Sequence, residues 1–266
     1  MILALSVVAL AQSCTNEVSP QSEGIPVEKR TKSIESAMEY LDSGQVVKAL
    51  AITSVLVKED ADSPESQEAH GLVLLASADQ FDQDGLSDNA RIERERALEA
   101  FESACTLLSK PTLLSLSTGQ LAHMLGKDEM ARSYYKIAHE ADETDERASF
   151  FLAQMAMLEE EWQDAQSWIN KSMERNSTEP YTLLSSGLIE ASLGNVELAR
   201  ARADDGCKQK PNDENLRFMQ ARVYRMAGQP NRALEILSQL SEPLKSSELT
   251  RQEMALCQSA VKGDNE

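Results

Sequence analysis

A chain of 266 residues, 41% hydrophobic but only 5% aromatic, carries enough apolar material for a large folded core and too much for a disordered polymer. Its 44 acidic and 26 basic residues leave a formal net charge of -18. That balance excludes nucleic acid, whose phosphates need clustered Lys and Arg, and disfavours adhesion to an anionic membrane surface by charge.

The first element is an apolar run, ILALSVVALA, at residues 2–11. It is too short for a membrane span, which takes roughly 20 residues. Its length suits the hydrophobic region of a secretory signal, although no Lys or Arg precedes it. Residues 1–13 are therefore expected to be a signal peptide. Two cleavage readings stand. Ala9-Leu10-Ala11 is a small-x-small site for ordinary cleavage after Ala11. The stretch AQSC at residues 11–14 resembles a bacterial lipoprotein box, which implies lipidation of Cys14, with Ala11 and Gln12 standing where that pattern prefers Leu and a small residue. A third reading makes the run an apolar helix packed on the domain. Residues 14–29 are polar, bear Pro and Gly, and show no apolar period, as expected of a flexible linker.

From about residue 30 to 262 one period of 34 residues organises the chain. A first column of small residues runs through Gly119, Ala153, Gly187, Ala221 and Ala255. A second holds Gly126, Gly194 and Gly228, with Glu160 between them. A third holds Ala97, Ala131, Ala165, Ala199 and Ala233. Four residues on lie Phe101, Tyr135, Ile169, Ala203 and Leu237; three further lie Ala104, Ala138, Ser172, Gly206 and Leu240. A mid-helix glycine costs about 1 kcal/mol against alanine, so the columns must serve packing or turns. The physical reading is a pair of helices per repeat. The first column marks where the two helices cross, the second the turn between them, and the third the start of the second helix.

These columns, with Tyr135 and with Tyr224 at the family's helix A tyrosine, resemble the tetratricopeptide repeat. The early helix A aromatic of that family is replaced by Ser115, Ser149, Leu183 and Arg217, and only Pro211 closes a second helix. The resemblance implies an all-α, right-handed superhelical solenoid of about six helix pairs. The repeats are expected at about 30–63, 64–111, 112–145, 146–179, 180–213 and 214–247, with a capping helix at 247–262. Ala37, Tyr40, Gly44 and Ala49 keep the spacing at the front, but Gly71 to Gly119 is one period plus 14 residues. The second repeat therefore carries a 14-residue insertion, expected within residues 79–96 as a loop and an extended second helix capped by Ser87 or Asp88.

No catalytic constellation is visible. His70, His123 and His139 lie at different positions of repeats two and three without H-E-x-x-H or paired-carboxylate spacing. Taking Asp84 as position 5 of a calcium loop puts Gln80 at position 1 and Arg91 at position 12, which fails the ligand pattern. Cys105 and Cys207 occupy the same slot three periods apart. With helices stacked at 8–10 Å their sulfurs stand at least ~25 Å apart, beyond a disulfide. They and Cys257 are expected to be unpaired small packers, and three free thiols argue mildly against export. No enzyme activity, metal or cofactor is expected.

The resemblance further implies that helix A residues line a concave groove that holds a protein segment. One place after the first column stand Met38, Leu72, Gln120, Gln154, Leu188 and Arg222; four places after it stand Leu41, Leu75, His123, Met157, Ala191 and Arg225. The candidate groove residues are Gln120, His123, Gln154, Met157, Leu188, Ala191, Arg222 and Arg225. They suit an apolar or amphipathic partner segment, extended or helical, with an acidic group meeting Arg222 and Arg225. The expected function is a non-enzymatic scaffold of the bacterial cell envelope, lipid-anchored or periplasmic, touching the membrane only through its lipid anchor and taking no nucleic acid or small-molecule substrate. The alternative is a cytosolic adaptor without a signal peptide.

Overall fold

The computed structural model describes residues 25–109 and 111–263. The signal-peptide reading and Cys14 lie outside the described residues. Thirteen helices and no strand occur among the described residues. They divide into two compact units, one ending at Lys127 and the other beginning at Asp128.

The first unit holds α1 (Val27–Asp42), α2 (Val46–Glu59), α3 (Pro64–Gln83), α4 (Ser87–Leu107) and α5 (Thr112–Met124). Helix α1 starts at Val27, so the last three residues of the expected linker are helical. Two consecutive helices pair antiparallel, and the next pair packs on them. Val46, Ala49 and Val73 form a core between α1, α2 and α3, with Met38, Tyr40 and Leu41 packed against it. Arg30 of α1 pairs with the buried Asp60 at the end of α2 and reaches Glu65 of α3 at 3.4 Å, tying the three helices together.

The inserted residues make no loop. Helix α3 has 20 residues and α4 has 21, against 13 in α5 and 14 in α6. Each arm of the hairpin is thus longer by seven residues, about two helical turns, so each helix returns to the same face. Leu86 sits at the N-terminus of α4 and no side chain caps it; the expected caps Ser87 and Asp88 are already helical. The backbone closes this turn instead.

The second unit holds α6 (Asp128–Ala141), α7 (Glu146–Leu158), α8 (Trp162–Arg175), α9 (Pro180–Ser192), α10 (Val196–Lys208), α11 (Glu214–Met226), α12 (Pro230–Ser238) and α13 (Glu248–Gly263). Its core falls into linked clusters. Ala153, Ala156, Ala165, Ile169 and Ile189 join α7, α8 and α9. Leu184, Leu188, Ala199, Ala203, Leu216 and Val223 join α9, α10 and α11. Ala221, Tyr224, Ala233, Ile236, Leu237 and Cys257 carry the packing to α13.

The small columns explain this stacking. Ala97, Ala131, Ala153, Ala165, Ala199, Ala221 and Ala233 are all fully buried. A Cβ added to Gly187 would lie 3.1 Å from the Ala199 carbonyl and 3.3 Å from Val223 Cγ2, so the glycine marks a close crossing of α9 with α10 and α11. Ala255, counted in the same column, is exposed. That column faces the second helix of its own pair, and no second helix follows α13 among the described residues.

The turn column is uniform. Gly44, Gly85, Gly126, Gly194 and Gly228 have φ between 71° and 83°. Glu160 takes the same left-handed conformation at φ 59° without being glycine. The N–H after each turn residue returns to a carbonyl five residues back, from Gln45 to Tyr40, Leu86 to Phe81, Lys127 to Ala122, Glu161 to Ala156, Asn195 to Glu190 and Gln229 to Tyr224, at 2.8–2.9 Å. This is the bond that closes a helix end when the following residue is left-handed.

A further column starts the first helices. Asp145, Glu179 and Asp213 accept from the backbone N–H groups of Arg147, Thr182 and Asn215, and Ser247 accepts from that of Thr250. The four caps are spaced by 34 residues. They satisfy N–H groups that a helix start leaves without partners.

Candidate partner-binding face

In the second unit α7, α9 and α11 are the first helices of three successive pairs, and α9 packs directly against α11. Gln154 and Met157 of α7 stand two periods before Arg222 and Arg225 of α11, so they hold corresponding positions on their first helices.

On α7, Gln154 Nε2 donates to Ser185 Oγ of α9 at 2.8 Å. Met157 packs on both neighbouring clusters, and Leu158 beside it is 67% exposed. Over α9 and α11, Tyr181, Met219 and Met226 are half-buried against the core. Methionine adapts its three rotatable bonds to irregular apolar partners, so this stretch offers a deformable apolar surface.

Four of the eight expected groove residues do not belong to that surface. Leu188 and Ala191 are buried in the cluster that includes Ala199 and Val223, because α11 stacks over α9 and covers them. Gln120 and His123 are half-buried on α5, in the other unit. Gln154, Met157, Arg222 and Arg225 are the expected residues of the second unit that are not buried.

The acidic group expected opposite Arg222 and Arg225 is present in the chain itself. Glu253 of α13 pairs through Oε1 with Arg225 Nε, and its Oε2 lies 3.9 Å from Arg222 Nε. Its side chain is only 6% exposed. The two arginines were legible as a basic end of the row; Glu253 lay outside the column positions. The remaining signal was an acidic residue on the one helix that follows the last pair.

The other polar side chains are engaged in holding helices together. Glu190, buried on α9, accepts from Gln166 Nε2 at 3.0 Å and Asn195 Nδ2 at 2.6 Å. Tyr224 donates to Asp204 Oδ1 at 2.7 Å, and burial, followed by that bond and the Asp204 charge, pushes its phenol up to about 12. His70 Nδ1 lies 3.0 Å from Thr53 Oγ1, and His139 Nδ1 lies 3.2 Å from Ser149 Oγ. Burial lowers both imidazoles, helped by Arg96 at His70 and Lys171 at His139. Each histidine bridges two packed helices through a hydroxyl. Among the described residues no three His, Cys, Asp or Glu side chains are grouped to hold a metal.

Among the described residues the thiols of Cys105, Cys207 and Cys257 are buried and free. Cys105 lies 3.5 Å from Thr118 Oγ1 and 3.8 Å from Ser115 Oγ, at the contact of α4 with the next helix, and Cys207 packs at the corresponding contact of α10 with α11. Burial raises all three, Cys207 and Cys257 to about 11.

No family model matches the chain, and no curated protein matches it. Solved structures do. A tetratricopeptide repeat protein from Parabacteroides merdae ATCC 43184 is 18% identical with a TM-score of 0.64, over 88% of this chain and 93% of that one. PilF of Pseudomonas aeruginosa is 17% identical with a TM-score of 0.63, over 86% of this chain and 97% of that one. YrrB, described as a TPR protein with an unusual peptide-binding site, is 16% identical with a TM-score of 0.52, over 79% and 97%. The fold is the all-α tetratricopeptide-repeat solenoid.

Proposed function

We propose that the protein is a non-enzymatic interaction scaffold that holds a segment of another protein against α7, α9 and α11. The observation that carries this reading is the row itself: half-buried Met157, Met219 and Met226 and exposed Leu158 leading to Arg222 and Arg225. An apolar or amphipathic segment fits the methionines, and an acidic side chain fits the arginines. The likeness to YrrB, whose description names a peptide-binding site, supports the same use of the fold.

We further infer an envelope location, with export through residues 1–13 and a lipid anchor at Cys14. Its support is the apolar run ahead of AQSC and the polar stretch after it. The rival reading, a cytosolic adaptor, is favoured by three unpaired cysteines. Their burial removes much of that argument, since the thiolate is the form that oxidises and burial holds all three protonated.

The test is a photo-crosslinking amino acid placed at Met219 of the full-length protein in its own host. One protein should be captured, and Met219→Asp, in a chain that keeps its helical content, should abolish capture by a crosslinker at Met157. Undiminished capture by that variant places binding elsewhere. The mass of the mature chain settles location: a start at Cys14 with acyl chains supports the envelope, and retained Met1 in the soluble fraction overturns it.

A further inference from the structure

We propose that α13 is a displaceable occupant of the arginine end of this face, and that an acidic residue of the partner replaces Glu253 there. The inference rests on the partner-face reading above and concerns how that face is controlled.

Helix α13 is held unlike any other helix of the second unit. Its fully buried side chains are Thr250 and Cys257, with Glu253 nearly so, and Met254 is half-buried beside them. Its leucines point away: Leu249 is 66% and Leu256 52% exposed. A helix docked by a hydroxyl, a thiol and a carboxylate buries little apolar surface, and elements of that kind open locally below the global unfolding free energy. Helix α13 is also the last helix among the described residues, reached from α12 through residues 239–247, so its release uncovers Arg225 and the end of α11 without separating any helix pair.

The ion pair sets the chemistry of exchange. A carboxylate buried between two guanidinium groups gains little net stability, because desolvation offsets attraction, but either partner alone is strongly unfavourable. Once α13 lifts, Arg225 is left to water, and a partner that covers it again must bring a carboxylate of its own. A partner with an acidic residue on an apolar helical face supplies it and lays its apolar residues beside Met226. Neutral segments do not compensate the arginines, so the device selects for acidic ones.

The test reads Cys257 as a reporter in the full chain, with Cys105 and Cys207 as internal controls for folding. Labelling by a thiol reagent, resolved by peptide mass, should modify Cys257 at least ten times faster than the other two, at a rate insensitive to low urea. Glu253→Gln should speed Cys257 labelling about tenfold further and leave Cys105 and Cys207 unchanged. The competing probe is a synthetic peptide of residues 248–263 with serine for its cysteine. It should bind the Glu253→Gln chain at least ten times more tightly than the unaltered chain, and the same peptide with glutamine at its position 253 should not bind. Labelling of Cys257 in step with Cys105 and Cys207, or failure of the peptide to bind, overturns the inference. Crosslinking at Met219 is independent of both readouts. Capture there with α13 fixed in place overturns this inference alone, and loss of capture in every background overturns the partner-face reading with it.

Discussion

Gly71 of α3 lies against the ring of Phe101 on α4 so closely that a Cβ added to it would stand 2.6 Å from Cδ1. Phe101 is among the largest fully buried side chains, so the ring can yield only by shifting its packed neighbours. Gly71→Ala should therefore destabilise the protein by about 1–3 kcal/mol, the range for overpacking a tight core. Gly187→Ala should cost less, because its nearest neighbours, the Ala199 carbonyl and Val223, stand 3.1–3.3 Å from the added Cβ. Urea unfolding of the two variants measures the order, and equal losses would remove the distinction between the two crossings.

Glu160 holds a conformation that the other described turns give to glycine. A left-handed non-glycine residue costs about 1–2 kcal/mol, part of which glycine gives back through its unfolded-state freedom. Glu160→Gly should stabilise by about 0.5–1 kcal/mol. Gly194→Ala, at φ 83° with nothing near the added Cβ, should lose a similar amount through strain alone. Thermal melts of the pair check both signs.

Burial, and then the neighbouring charge of Glu65, push Glu68 on α3 from 4.5 up to about 7. Between pH 4.5 and 7 the folded chain keeps a proton that the unfolded chain has released. Stability therefore falls as pH rises through that window and levels off above it, by about 2 kcal/mol after allowance for partial exposure. Glu68→Gln should lack this loss and be more stable than the parent at pH 8 but not at pH 4.5. His70 and His139, lowered from 6.5, contribute the opposite slope in both chains and cancel in the difference. Unfolding midpoints at pH 4.5, 6 and 8 give the comparison.

Arg30 covers the buried carboxylate of Asp60. Arg30→Met leaves that charge unpaired and should cost about 3–5 kcal/mol, whereas Arg30→Met with Asp60→Leu should recover most of it. Hydrogen exchange of α1 and α2 localises the effect. A single variant as stable as the parent would mean that Asp60 is solvated when Arg30 is absent.

The helical repeats within each unit were legible because a contact repeated along the chain leaves the same residue size at the same spacing. Gly187, Ala199 and Ala203 announce a close crossing whatever surrounds them. What periodicity does not encode is depth and exception. Leu188 occupies the same row position as Arg222, yet one lies under α11 and the other in solvent. The break in period predicts a loop and one long helix where α3 and α4 stand, because Gly85, 14 residues after Gly71, falls outside the seven-residue step that joins the first column to the turn column elsewhere. Glu253 escapes the pattern for a related reason: it holds the slot of Met219 and Ser185, one and two periods before it, and that slot foretells neither its charge nor its partners.

The even division of extra residues between α3 and α4 carries a consequence for how such a chain tolerates growth. Two arms lengthened together by whole turns advance the tip by about 10 Å while every older side chain keeps its bearing. A gain of two or five residues on one arm would instead swing its packed side chains toward water and shear the hairpin. Length changes in such a fold are thus quantised: heptads added in matched sets are silent to the neighbours, and odd increments are not. The tip at Gly85 is where the chain extends outward without renegotiating its interior.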